Sequence, residues 1–233
     1  MSWRCSSTSN EGLIANLFRH GLIKNDTVRE AMRKVDRAHF SPIMPYEDSP
    51  QGIGYNATIS DHNWFIKTHP LGPKAAEALL DRLGPGKKVL DVGSGSGYLT
   101  AVLAHLVTPG GTIVGIEHIQ QLCDLSTANL KKDPVHSGML QDGTIKIVRG
   151  DGRLGYPEGG PYDAIHVGAA ASIMPQALID QLKAPGRMFI PVGGFSQYIW
   201  QVDKDEEGNV KKEKQYGVLY VPLTDAKEFR DEN

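Results

Sequence analysis

Cysteine is scarce in this 233-residue chain, with Cys5 and Cys123 the only two. They lie far apart and form no CxxC pair or metal-ligand spacing, so a disulfide scaffold is excluded and a reducing compartment is expected. Neither sign of charge dominates: 25 Lys and Arg stand against 27 Asp and Glu, for a net charge of -2. That removes the long-range pull toward nucleic acid or an anionic membrane. No basic run exceeds two residues, and the densest is Lys211-Lys212 with Lys214 nearby. No apolar run approaches the length of a membrane span. The opening "MSWRCSSTSNEG" has no apolar segment, so no signal peptide is expected. These absences leave a soluble cytoplasmic protein as the default, with no nucleic-acid or membrane partner. At 40% hydrophobic residues, the chain suits one globular domain with an attached cap, or at most two small domains.

Two patterns divide the sequence. In "NEGLIANLFRHGLI", Leu13, Ile14, Leu17 and Phe18 recur on one helical face, with Asn10 able to cap and Gly21 placed to end the helix. "NDTVREAMRKVDRAHF" repeats the pattern through Val28, Met32 and Val35. "SPIMPYEDSPQGIG" carries three prolines and two glycines and reads as irregular loop. From residue 73 helices and strands alternate. The expected helices are "PKAAEALLDRL", "YLTAVLAHLV", "IQQLCDLSTANLKK" and "MPQALIDQL". The expected strands are "KKVLDVG", "TIVGIEH", "TIKIVRGD", "YDAIHVGAA" and "GRMFIPVG". Such alternation implies βαβ units and a parallel sheet. In "YIWQVDKDEEGNVKKEKQYGVLYVPLTD", two strand-like runs flank a polar turn at Gly208-Asn209, predicting an antiparallel hairpin at the sheet edge.

The strongest local signal is "VLDVGSGSGYLTAVLA". An apolar strand runs into Gly93, Gly95 and Gly97, and a helix opens at once. Glycines there permit a tight turn and close approach of a ligand to the backbone. The spacing G-x-G-x-G misses the dinucleotide fingerprint G-x-G-x-x-G by one residue. Asp91, two residues upstream, is awkward beside a pyrophosphate and suits a ligand bearing positive charge. Glu117 ends the next strand about 20 residues on, where a carboxylate accepts hydrogen bonds from ribose hydroxyls in doubly wound folds. Asp151 and Gly152, in "RGDGR", end the third strand and could meet an adenine amino group, although an ordinary Asp-Gly turn looks the same. "HVGAA" ends the fourth strand in small residues, which either leave room for a substrate or allow close backbone packing. A ribose diol, an adenosine and a cationic tail together describe S-adenosylmethionine.

Longer motifs carry a resemblance. "DVGSGSGYLTA", "GDGRLGYPEGGPYDAIHVGAAA", "PQALIDQLKAPGRMFIPVG", "GVLYVPLTD", "DSPQGIGYNATIS" and "DRAHFSPIMPYEDSP" are similar to the protein L-isoaspartate O-methyltransferase family over nearly the whole chain. The resemblance implies an α/β fold of the class I AdoMet-dependent methyltransferase type: a Rossmann-like doubly wound sheet, mostly parallel, with an antiparallel C-terminal edge and an N-terminal helical cap. It implies one methyltransferase domain over 1–233. Residues 1–72 would form the cap and substrate loop, 73–200 the AdoMet-binding core, and 201–233 a C-terminal hairpin closing the site. The implied reaction is methylation of the side-path carboxylate of L-isoaspartyl residues, and more weakly of D-aspartyl residues, in damaged proteins. The ester then collapses to a succinimide that can reopen as aspartate. No metal takes part, and the implied state is a monomer.

Carried over motif by motif, Asp91, Gly93 and Gly95 would form the methionine-end loop, flanked by Ser94 and Gly97. Glu117 would hold the ribose. His118, Asp151 and Gly152 would surround the adenosine. Thr58 and Ile59 of "ATIS" and Thr224 of "PLTD" would complete the cofactor shell. Ser60 matches the family's active-site serine. The acceptor carboxylate is already ionised near pH 7, since ordinary carboxyl pKa values are about 4, so Ser60 is expected to orient it by a hydrogen bond. No histidine–acid partner to activate Ser60 is evident in the sequence. Relatives usually continue "ATISAPHMHA"; this chain reads "ATISDHNWFIKTHPLGP", longer by about seven residues, near the median length of a whole loop. His62 and His69 fall at no matching position. The altered loop keeps two alternatives open: a relative that binds without efficient transfer, and one with a different acceptor, using Trp64 and Phe65 in a changed pocket.

Overall fold

The computed structural model describes residues 5–41, 43–49, 51–55, 57–59 and 71–223. Its centre is a seven-stranded sheet made of β3 (Lys88–Val92), β4 (Thr112–Glu117), β5 (Ile145–Arg149), β6 (Tyr162–Val167), β7 (Leu182–Val192), β8 (Gln197–Lys204) and β9 (Val210–Val218), in spatial order β5-β4-β3-β6-β7-β8-β9. The first five positions in that order pair in parallel, and β8 and β9 pair antiparallel. This is the class I, Rossmann-like arrangement with the expected antiparallel edge.

β3, β4 and β6 are buried on both faces, so residues of the parallel strands alternate between two cores. Val89, Ile113, Ala164 and Phe189 join a core with α1 (Asn10–Arg19), α2 (Asp26–Arg33), α3 (Leu71–Leu79) and α4 (Tyr98–Val107). Leu90, Val92, Ile116, Ile165, Val167 and Met188 join Leu178 and Ile179 of α7 (Gln176–Asp180) in the other. Each such Val, Leu, Ile, Phe or Met side chain contributes about 1.5–3 kcal/mol on full burial. α5 (Gln120–Leu130) and α6 (Pro134–Gln141) complete the helices on the β4–β5 side.

The N-terminal cap is tied down by polar contacts as well as by its apolar faces. Glu77 Oε1 on α3 accepts from Lys24 N and Asn25 N, each at 2.8 Å, so the cap and α3 are linked directly. Arg37 is 4% exposed. Its guanidinium donates to the carbonyls of Pro45 at 2.9 Å, Glu47 at 2.6 Å and Ser49 at 3.2 Å. Those bonds satisfy a buried cation and fix the loop leading to β1 (Gln51–Gly54), which pairs antiparallel with β2 (Ala57–Ile59).

Four stretches differ from expectation. The prolines and glycines of 41–54 suggest only loop, yet Gln51–Gly54 is a strand, because β2 supplies the partner that local propensity lacks. α6 has no counterpart among the expected helices, although Asp133 caps Val135 N at 2.8 Å and Pro134 occupies the first turn, a recognisable start signal. The "MPQALIDQL" helix is only Gln176–Asp180. β7 begins earlier than "GRMFIPVG", at Leu182.

A buried histidine pair sits between α4 and α6. His105 Nε2 and His136 Nε2 are 3.0 Å apart, and His136 is fully buried. Burial, first, pushes both pKa values down, His105 to about 4, with the charge of His136 adding to it at His105 and the charge of Asp133 opposing it at both. Both rings are therefore neutral in the folded chain where ordinary histidines, near 6.5, take up protons. The unfolded chain gains more protons as pH falls, so stability is expected to decline from about pH 6.5 toward pH 4, by on the order of 3 kcal/mol for His105. Thermal melts from pH 7.5 to 5 check this. A His105→Gln variant is expected to flatten the decline, and an unchanged slope would contradict the assignment.

Candidate active site

The chain order of the parallel strands reverses between β3 and β6: β4 and β5 lie to one side of β3, and β6 and β7 to the other. Ligands of doubly wound sheets bind in the crevice beyond the carboxyl ends of strands at such a switch point. The glycine-rich turn leaves β3 there. Gly93, Gly95 and Gly97 have φ of 76°, 53° and 85°, in the left-handed region that side chains with a Cβ disfavour. Gly97 is also required for space, since a Cβ there would lie 2.5 Å from Ser126 Oγ. The turn is held by Gly93 N to Ile116 O at 2.8 Å and Gly97 N to Ser94 O at 2.8 Å. Ile53 of β1 packs over it, with Cδ1 3.3 Å from where a Gly95 Cβ would stand.

Glu117 ends β4 next to this turn and is 5% exposed. Its Oε1 accepts from His118 N at 2.8 Å and Ile119 N at 3.2 Å and pairs with His118 Nδ1 at 3.0 Å. Its Oε2 accepts from Gly95 N at 3.2 Å. One carboxylate thus spans the glycine turn and the start of α5, and Oε2 retains acceptor capacity. Asp151, just beyond β5, is chelated by Arg153: Nε lies 2.9 Å from Oδ1 and Nη2 2.7 Å from Oδ2. That pairing, first of all, holds the Asp151 carboxyl below its ordinary pKa, and the charge of His118 acts in the same direction. His118 thus pairs with Glu117 and acts on Asp151 through its charge. Gly152 follows, where a Cβ would strike Val92 Cγ1 at 2.4 Å.

On the other side of the crevice, Gly168 N donates to Val92 O at 2.7 Å. The segment after β6 is clamped by Ala170 N to Val221 O and Leu223 N to Ala170 O, each 2.8 Å. Leu223 reaches Gly152, its Cδ2 3.3 Å from where a Cβ would stand on that glycine. The C-terminal segment thus crosses from the end of β6 to the Asp151 turn.

Over this frame, the comparisons with known proteins agree. Residues 8–228 match the family model described as protein-L-isoaspartate(D-aspartate) O-methyltransferase. The chain belongs to that family. It is 45% identical over 235 residues to a protein-L-isoaspartate O-methyltransferase of Caenorhabditis elegans, covering all of both chains. A Triticum aestivum enzyme of the same name is 46% identical over 94% of this chain and 93% of its own. Among solved structures, a putative protein-L-isoaspartate O-methyltransferase of Plasmodium falciparum in complex with S-adenosyl-L-homocysteine superposes with a TM-score of 0.83 at 30% identity, covering 94% of this chain and 99% of that one.

The family's cofactor is S-adenosylmethionine, and the residues at the glycine turn would fit it. Ser94 Oγ is buried with no hydrogen-bond partner among the described residues, and Glu117 Oε2 has room for a further donor. The structure brings together Asp91, Gly93, Ser94, Gly95, Gly97, Glu117, His118, Asp151 and Gly152. The backbones of Thr58 and Ile59 lie in β2. Ser60 and Thr224 fall outside the described residues, as do His62, Trp64, Phe65 and His69.

The site also contains residues that sequence reasoning did not single out. Asp91 is 1% exposed, and both of its oxygens are engaged, Oδ2 by Thr100 Oγ1 at 2.6 Å and Oδ1 by His166 Nδ1 at 2.7 Å. The expectation of an acid open to a cationic ligand is thereby refined: the carboxylate sits behind an imidazole. Asp91 and His166 are direct cross-strand partners in the β3–β6 register. The only signal in the sequence was a histidine two residues before Gly168, and strand pairing gives it meaning. Among the described residues no group of three or more His, Cys, Asp or Glu could hold a metal, and no described helix is long and apolar enough to cross a membrane.

Proposed function

We propose that this chain transfers a methyl group from S-adenosylmethionine to the free carboxylate of L-isoaspartyl residues, and more weakly of D-aspartyl residues, in damaged proteins and peptides. The ester so formed would start repair through a succinimide. The observation that carries this reading is the switch-point constellation of glycine turn, Glu117 and Asp151 in a chain that matches the family over residues 8–228. The relatives' names favour this acceptor over a different one, and favour turnover over binding alone.

When bound, S-adenosylmethionine supplies a methyl carbon activated by a sulfonium sulfur. The chain's own residues supply position. Gly93, Ser94, Gly95 and Gly97 would cradle the methionine end, Glu117 the ribose, His118, Asp151 and Gly152 the adenosine, with Thr58, Ile59 and Thr224 closing the shell. Asp151 would have to share its carboxylate with Arg153. The acceptor is already an anion at neutral pH, so no general base is needed. Holding it near 3–3.5 Å from the reacting carbon, away from water, is the main catalytic demand. We assign that orienting hydrogen bond to Ser60. The two cysteines are free and buried, which suits a reducing cytoplasm, and we take the working form to be a monomer.

Loss of one hydrogen bond to a charged group costs about 1.5–3 kcal/mol. A Ser60→Ala variant is therefore expected to lose about 10- to 150-fold in kcat/KM on an isoaspartyl peptide, by the arithmetic of 1.4 kcal/mol per factor of ten. Its affinity for S-adenosylhomocysteine should stay within about twofold. Steady-state kinetics with calorimetric titration checks both. Unchanged kcat/KM would remove Ser60 from the mechanism.

A further inference from the structure

Asp91 is shielded from direct contact with a ligand, because only 1% of the residue is exposed, and Thr100 and His166 engage its two oxygens. Its geometry nonetheless sets the chemistry of the histidine. An ionised carboxylate only accepts hydrogen bonds, so the 2.7 Å contact puts the imidazole proton on His166 Nδ1. A neutral ring then carries its lone pair on Nε2, where it can accept a hydrogen bond. His166 is the penultimate residue of β6 and Asp91 the penultimate residue of β3, so the pair stands at the switch point. The ring edge lies against Gly168, with Cε1 3.4 Å from where a Cβ would be, and Gly168 in turn abuts the Gly93 carbonyl. The side chain is 8% exposed, and among the described residues Nε2 has no hydrogen-bond partner.

We propose that His166 Nε2 accepts a hydrogen bond from the α-ammonium of the cofactor's methionine end, with Asp91 as the positioning residue that fixes its tautomer. The acid at the end of β3 acts on the cation through the imidazole. This assignment rests on reading the glycine turn as the methionine-end loop. It also explains why an acid is kept in a buried position, where an unpaired charge would be costly.

Two ligands separate the tail from the nucleoside. S-Adenosylhomocysteine carries the ammonium; 5′-methylthioadenosine keeps the adenosine and thioether but lacks the amino-acid tail. By calorimetry, His166→Phe is expected to weaken S-adenosylhomocysteine about tenfold or more, the worth of one charge-assisted hydrogen bond. Methylthioadenosine should stay within about twofold. His166→Gln, whose amide oxygen can stand in for Nε2, should recover part of the loss. Nitrogen-15 NMR should show the Nδ1–H tautomer in the unaltered protein and a mixture in Asp91→Asn. Equal losses for both ligands, no loss for either, or an Nε2–H tautomer would overturn the proposal. So would a rise confined to KM for the isoaspartyl peptide, which would put His166 on the acceptor. Failure of the underlying site reading looks different: Glu117→Ala would then leave both ligands unaffected.

Discussion

An Asp91→Ala variant is expected to lose about 2–6 kcal/mol of stability, at about 1–3 kcal/mol for each buried donor left without an acceptor. The residue is 1% exposed, and its removal strands two buried donors at once, the Thr100 hydroxyl and His166 Nδ1–H. Thr100 is fully buried in α4 and cannot turn to water. Loss of the carboxylate also removes the side-chain link among β3, β6 and α4 at the end of the sheet that carries the glycine turn. Chemical denaturation checks the figure: the midpoint should shift strongly with an unchanged slope. Asp91→Asn, which keeps shape and one acceptor, should be milder. A loss under about 1 kcal/mol for the alanine variant would mean the network is dispensable.

The second large effect is expected at Glu117, and it is an effect on binding. Its carboxylate takes the N–H groups of Gly95, His118 and Ile119, so it shapes the turn before any ligand arrives. We also assign it the ribose hydroxyls. Two hydrogen bonds to a charged group, at about 1.5–3 kcal/mol each, predict a loss of roughly 100-fold or more in S-adenosylhomocysteine affinity for Glu117→Ala. Glu117→Gln, which can accept one of the two, should fall in between. If both variants bind within about threefold of the unaltered chain, the ribose assignment is wrong.

The parallel core was legible because it needs little context. "KKVLDVG" and "TIVGIEH" are short apolar runs between amphipathic helices, and the structure places them as β3 and β4. The glycine turn was legible because its positive φ values restrict which residues can occupy it. β1 was hidden, since "QGIG" gains strand character only from its pairing with β2. α6 was hidden behind a short, weakly apolar stretch, although Asp133 and Pro134 marked its start.

Within the site, Glu117 and Asp151 could be located at strand ends from the sequence, because Glu117 is the last residue of β4 and Asp151 lies two residues beyond β5. The environment of Asp91 could not. Its two partners are nine and 75 residues away in sequence, and only the β3–β6 register brings His166 across from it. A histidine–acid pair therefore stands in a chain whose local motifs offer no hint of one. The clamp of Ala170 by Val221 and Leu223 depends likewise on tertiary pairing. The altered loop after Ser60 lies outside the described residues, so its effect is a matter for kinetics.

The measurement closest to the central claim uses methyl-labelled S-adenosylmethionine with two peptides that differ only at one residue, L-isoaspartyl in one and normal aspartyl in the other. The account predicts base-labile methyl esters on the isoaspartyl peptide alone, dependent on Glu117. Tight cofactor binding with no ester on either peptide, or equal labelling of both, would contradict it.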